Sequence, residues 1–204
     1  NFSQLEYKRQ NILDLWPKFK NVTVSASLDG MGSHAEFIRK GTVWSDIEAN
    51  RQLMIERTPE IEFDICPTVS LMNVLHLPDF IEDWTRKGLI KPGNVRINNL
   101  LDPNHFCTQI LPTEYKQRVT KRWKELLVWV GSLDNFDDSK WPAAEFLTAG
   151  NGLLKFMNTE LSEEDSVKHL KQCKQEFDQW DIIRNEKWHE AIPELQDVID
   201  FSWP

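Results

Sequence analysis

Val22-Thr23-Val24-Ser25-Ala26-Ser27-Leu28-Asp29-Gly30-Met31-Gly32 decides the fold. Residues 22–28 are rich in β-branched and small side chains, which suit a pleated, half-buried strand. The Asp-Gly pair that follows is turn chemistry, so the strand stops there. Two later stretches read the same way. In 61–70, Ile61, Phe63 and Ile65 alternate. In 94–101, Val95, Ile97 and Leu101 form one face. Between them the apolar spacing changes to that of helices. Ser45 and Glu48 have the form of a capping box before Ile47, Leu53 and Met54, and Phe80, Ile81 and Trp84 mark a short helix over 79–87 closed by Gly88. Strands alternating with helices predict right-handed crossovers and a parallel sheet. Three parallel strands are few for such a sheet, so further strands are expected in sequence preceding Asn1.

Outside this centre the pattern is helical. Ser3 and Glu6 resemble a capping box, and Leu5, Ile12, Leu13, Trp16 and Phe19 recur at helical spacing, so a first helix is expected to start at Ser3 and to end near Pro17. After Pro112, Tyr115, Val119, Trp123, Leu126, Leu127 and Val130 form an apolar stripe that stops at Gly131. A polar stretch, 134–140, leads to a helical region over 143–157. Ser162 and Asp165 cap another helix through Leu170, Phe177 and Trp180, and a short tail follows Pro193. The chain divides into an α/β part, 1–112, and a helical extension, 113–204.

Composition narrows the function. The net charge of −8 opposes a nucleic-acid partner held by general electrostatics. Cys66, Cys107 and Cys173 are far apart and odd in number, so they signal neither a disulfide framework nor a zinc site and point to a reducing, cytoplasmic setting. No apolar run spans a bilayer. His34, His76, His105, His169 and His189 show no ligand spacing and read as solvated or hydrogen-bonded surface groups. No nucleophile elbow or phosphate loop occurs.

Ligands of parallel sheets bind at the carboxyl ends of the strands. All three ends here are polar: Ser27 to Gly30, Thr68 to Asn73, and Asn98 to Asp102. Taken alone, Asp29-Gly30 also fits a turn in which the carboxylate bonds backbone amides, and Arg39 also fits a solvated Arg-Lys pair.

Ser25-Ala26-Ser27-Leu28-Asp29-Gly30-Met31-Gly32, then Glu36-Phe37-Ile38-Arg39-Lys40-Gly41, then Trp44 and Asn50, resemble the fourth-strand region of radical S-adenosylmethionine enzymes, in the branch that carries a twitch or SPASM auxiliary-cluster module. Pro67 to Val74 with Leu77-Pro78 is similar to the family's fifth strand, and Asn98 to Pro103 through Leu111-Pro112 to its sixth. The resemblance runs from Asn1 to about Trp129. It implies a partial (β/α)6 TIM-like barrel holding strands four to six, plus the C-terminal helices.

For the intact protein the resemblance implies a 4Fe-4S cluster and S-adenosylmethionine, cleaved reductively to a 5′-deoxyadenosyl radical that abstracts hydrogen. It also implies a reductant such as flavodoxin or ferredoxin and, by analogy, a peptide or protein substrate. By position, Ser27 would bond the cofactor near its ribose or carboxylate, Arg39 would pair with the carboxylate, Asp29 would order the turn or touch the ribose, and Asn73 and Asn99 would reach adenine or substrate. The departure from the family is large. The C-x-x-x-C-x-x-C triad is absent from these residues, and neither Cys66 nor Cys107 has the spacing to replace it. The chain alone is therefore expected to be inactive, with no catalytic residue or metal ligand of its own. Two other readings stand beside this one: a non-catalytic interaction module that uses its Trp-rich helices, and an unrelated hydrolase or lyase using Asp29 with a nearby His.

Overall fold

The computed structural model describes residues 2–133 and 143–199. The chain opens with a hairpin rather than the expected helix: β1 (Glu6–Tyr7) pairs antiparallel with β2 (Gln10–Asn11). Lys8 and Arg9 take φ of 47° and 64°, the left-handed pair that closes a two-residue turn. Of the residues at helical spacing, Leu5 and Leu13 are buried, whereas Phe19 is largely exposed. One apolar face is therefore not shared by the whole set. Asn11 Oδ1 accepts from the Leu13 amide at 2.9 Å and starts a single 3-10 turn, with a second turn at Trp16–Lys18.

The sheet comes next. β3 (Thr23–Ala26) leads through α1 (Gly32–Ile38) and α2 (Trp44–Arg57) to β4 (Glu62–Ile65), and the two strands pair parallel with Ala26 opposite Ile65. Pro67 follows β4 and has no amide to donate. The same extended segment resumes as β5 (Thr68–Val69), and α3 (Leu77–Arg86) then leads to β6 (Asn98–Asn99). β5 and β6 pair parallel, with Val69 opposite Asn99, and a parallel bridge joins Ile65 to Val95. Three parallel segments therefore lie side by side in chain order, as the alternation predicts. Among the described residues they form two-stranded ladders and do not close a barrel.

Two details of the crossovers differ from the sequence reading. The sequence pattern does not signal α1, which is short and starts at Gly32 with φ +56°. Ser45 does not cap α2, whose N-terminus is met from outside: Glu36 Oε1, at the exposed end of α1, accepts from the Trp44 amide at 2.8 Å. α3 follows expectation, with Leu77, Phe80, Ile81 and Trp84 buried and Gly88 at φ +71° just beyond its end.

The helical part comprises α4 (Thr113–Gly131), α5 (Ala143–Met157), α6 (Glu163–Arg184), α7 (Trp188–Ala191) and α8 (Gln196–Ile199). All six stripe residues of α4 are buried. Ser162 caps α6 by accepting from the Asp165 amide at 3.0 Å. The linker 134–140 lies outside the described residues. The segment after Pro193 is more than a tail: Leu195, Val198 and Ile199 are buried in the core.

Aromatic packing ties this half to the first. Phe177 of α6 meets Phe37 of α1 at 5.8 Å, Phe106 beyond β6 at 5.7 Å and Trp188 of α7 at 5.4 Å. Each such pair adds about 0.5–1.5 kcal/mol beyond its buried area. Trp84, Trp123 and Trp188 are spent in the core. Among the described residues, no helix is long and apolar enough to cross a membrane.

Candidate functional site

β3 ends at Ala26, whose carbonyl accepts from the Cys66 amide at 2.8 Å. The chain then leaves the sheet, with Leu28 buried beneath it, and delivers Asp29 to the rim. The Asp29 carboxylate is nearly sealed from water and fully engaged. Its Oδ1 accepts from the Thr68 amide at 2.8 Å, and its Oδ2 accepts from Arg39 Nε at 2.6 Å. A buried carboxylate needs such partners, because desolvation would otherwise disfavour its charge. Thr68 opens β5 and Arg39 follows α1, so one side chain joins two strand ends and fixes the cation beyond the helix.

Asn73 completes the network from the next turn. It is fully buried, and its Nδ2 donates to the Asp29 carbonyl at 2.8 Å and to the Thr68 carbonyl at 3.0 Å. Its Oδ1 accepts from the Ser70 amide at 2.8 Å. Asp29, Arg39 and Asn73 are thus brought together by direct hydrogen bonds. Asn73, sealed and saturated, is a brace within the protein and is not placed to reach adenine or substrate. Asp29 orders the turn.

Ser27 and Asn99 are not part of this network. Ser27 is half-buried just past β3. Asn99 stands opposite Val69 at the same end of the sheet, and its Oδ1 is sealed from solvent without a hydrogen-bond partner. Such an orphaned acceptor is uncommon. Only the Nε–H of Arg39 is used on Asp29. Among the described residues its terminal nitrogens hold no hydrogen bond, and the side chain is one-third exposed. The rim therefore offers a fixed cation and, just past β3, a half-buried hydroxyl.

A second cluster lies beside it. His34 is buried, contrary to the surface reading, and so is His105. The His34 and His76 rings stack with centroids 3.7 Å apart and planes within 6°. His34 Nε2 lies 2.6 Å from Glu194 Oε1, and His76 Nε2 accepts from the Met31 amide at 3.2 Å. Burial first, and then the charge of His34, pull His76 down to about 4. Burial would raise the Glu194 carboxyl, but the hydrogen bond and charge of His34 outweigh it and hold that carboxyl low. Tyr115 is also buried here, and its hydroxyl is pushed up by burial and by the Glu194 charge. No sequence spacing signals a cluster drawn from α1, the turn before α3 and the segment after α7.

Cluster chemistry does not fit these residues. Burial raises all three thiols, and among the described residues no three of His, Cys, Asp and Glu are grouped to hold a metal ion. A 4Fe-4S cluster would need ligands from other sequence. A surface cleft on α4, between Thr113 and Trp129, shares no residue with the rim. It is lined mainly by one helix, whereas the rim gathers groups from three strand ends, so the rim is the better candidate.

No protein-family model matches the chain, and neither a curated protein nor a solved structure is significantly similar to it.

Proposed function

We propose that residues 1–112 are the second half of a radical S-adenosylmethionine core barrel, extended by the helices of 113–204, and that the strand-end rim holds part of S-adenosylmethionine. The observation that supports this most is Arg39, a guanidinium fixed by buried Asp29 at the carboxyl end of adjacent parallel strands. Arg presents a planar fork suited to a carboxylate. Its two terminal nitrogens would take the carboxylate of the methionine moiety, and Ser27 would bond the ribose or carboxylate. Asn99, whose Oδ1 is sealed in this structure, would reach adenine or substrate only by turning its side chain outward. Asp29 and Asn73 would hold this geometry without touching the ligand.

In the intact enzyme a 4Fe-4S cluster held on other residues, with a flavodoxin or ferredoxin as reductant, would supply the reductive cleavage of S-adenosylmethionine and so the hydrogen abstraction from a peptide or protein substrate. This chain's residues bind and orient, and none of them performs the electron transfer.

The test is calorimetric titration of the intact protein with S-adenosylmethionine. Charge-assisted hydrogen bonds contribute about 1.5–3 kcal/mol, so Arg39→Ala should weaken binding by about 10- to 100-fold. Arg39→Lys should recover part of the loss. Affinity indifferent to both substitutions would end the assignment of the rim.

A further inference from the structure

Several contacts between the C-terminal helices and the first half of the chain fall on or beside α1, the helix between Asp29 and Arg39. Ser33 Oγ donates to the Ala191 carbonyl at 3.2 Å, and Arg184 Nη1 donates to the Phe37 carbonyl at 3.0 Å. Lys40, next to Arg39, pairs with Glu186. Glu194 holds His34 at 2.6 Å, His34 lies flat on His76, and His76 holds the Met31 amide at 3.2 Å. The last of these bonds falls on the turn that carries Asp29.

The fit around that turn leaves little play. A Cβ at Gly30 would lie 3.1 Å from His76 Cδ2 and 3.3 Å from His34 Cβ, closer than ordinary contact. The backbone therefore rests directly on the stacked rings. His76 must present an unprotonated Nε2 to accept the Met31 amide. Its burial against a partner already paired to a carboxylate keeps it in that form. The ring of His34 is oriented by Glu194, as a carboxylate orients the imidazole beside it in many sites. Each group fixes the next.

We infer that Glu194 is a positioning residue for the strand-end rim: through His34 and His76 it sets the conformation of the turn 29–32, and with it the Asp29–Arg39 pair. The helical extension thereby controls the rim without contributing a group to it. The inference takes the rim of the proposed function as the part positioned, but its bonds do not depend on which ligand sits there.

The 204-residue chain, labelled with 15N, tests this without a ligand. Glu194→Ala should speed hydrogen exchange of the Met31 amide by about tenfold, the value of one net hydrogen bond. It should also move the native-state resonance of the Arg39 Nε–H, which a mere loss of global stability leaves in place. Glu194→Gln keeps an acceptor for His34 and should restore most of both signals. His76→Phe keeps a ring to stack and removes the acceptor, so it should expose Met31 even with Glu194 intact. It also carries the test if Glu194→Ala does not fold. In wild type, the His76 Nε2 should show the nitrogen shift of an unprotonated imidazole. An unmoved Arg39 resonance and unchanged Met31 exchange in a folded Glu194→Ala chain, or in His76→Phe if that chain does not fold, would overturn the inference. Failure of S-adenosylmethionine to bind wild type would instead count against the proposed function and leave these readouts intact.

Discussion

Asn73→Ala is the sharpest probe of how the rim is held. The side chain is fully buried, and its removal orphans three backbone groups at once: the carbonyls of Asp29 and Thr68 and the amide of Ser70. A buried polar group left without a partner costs about 1–3 kcal/mol. Three would cost about 3–9 kcal/mol if nothing relaxed. Thr68 is only half-buried, and the space vacated by the amide admits water to part of the site. The lower half of that range, about 3–6 kcal/mol, is the expected loss. Set against the usual 5–15 kcal/mol of a domain, it removes a large part of the stability.

Asn73→Asp separates hydrogen bonding from volume. One oxygen still accepts from Ser70, but the other now faces two carbonyls where a donor stood. At neutral pH it should be at least as damaging as Ala despite its shape. Its deficit should narrow as pH falls and the new carboxyl takes a proton that it can donate. Urea unfolding followed by the fluorescence of the nine tryptophans measures both. A loss below about 1 kcal/mol for Asn73→Ala, with an unchanged urea slope, would refute the account of Asn73 as a brace.

His76 makes stability depend on pH in a defined direction. Its folded value of about 4 lies below the ordinary imidazole value of about 6.5, so the unfolded chain binds the proton more readily. The stability it contributes is present above 6.5 and is lost as pH falls from there towards 4. It amounts to at most about 3 kcal/mol, and the difference between wild type and His76→Phe in urea midpoints across that window isolates it. Trp123→Phe tests the α4 anchor: Trp123 is fully buried and its Nε1 donates to the Val74 carbonyl at 2.7 Å. Loss of that bond and of part of the ring should cost about 2–3 kcal/mol. Calorimetry should show a Tm lower by about 5–10 °C.

The parts of the fold legible in the sequence are those where one local signal decides the outcome. α4 presents six buried residues at helical spacing, and no competing turn interrupts them. The strands are short runs with polar ends. Ser162 is followed three residues later by an acid, and the same pair caps α6. The failures have a common cause, which is that distant contacts outweighed local pattern. Ser3 and Glu6 have the spacing of a cap, yet the chain turns back at Lys8 and Arg9, neither of which is a residue that favours positive φ. Ser45 looked like the cap of α2, but Glu36 supplies it from a helix with little intrinsic tendency to form. That helix, α1, is held by Ala191 and Arg184, more than 140 positions away in sequence.

The candidate site divides along the same line. Polar residues at three strand ends are visible in the sequence, but which of them are already spent is not. Asp29 and Asn73 carry the most distinctive chemistry by residue type, and the fold consumes both internally. Among the described residues the terminal fork of Arg39 is left without a hydrogen bond at that end of the sheet, with the Ser27 hydroxyl near the β3 end. A planar, one-third exposed guanidinium suits an anionic group with two oxygens. The carboxylate of S-adenosylmethionine is such a group, so the residue left free, rather than the residues most eye-catching in the sequence, supports S-adenosylmethionine at this rim.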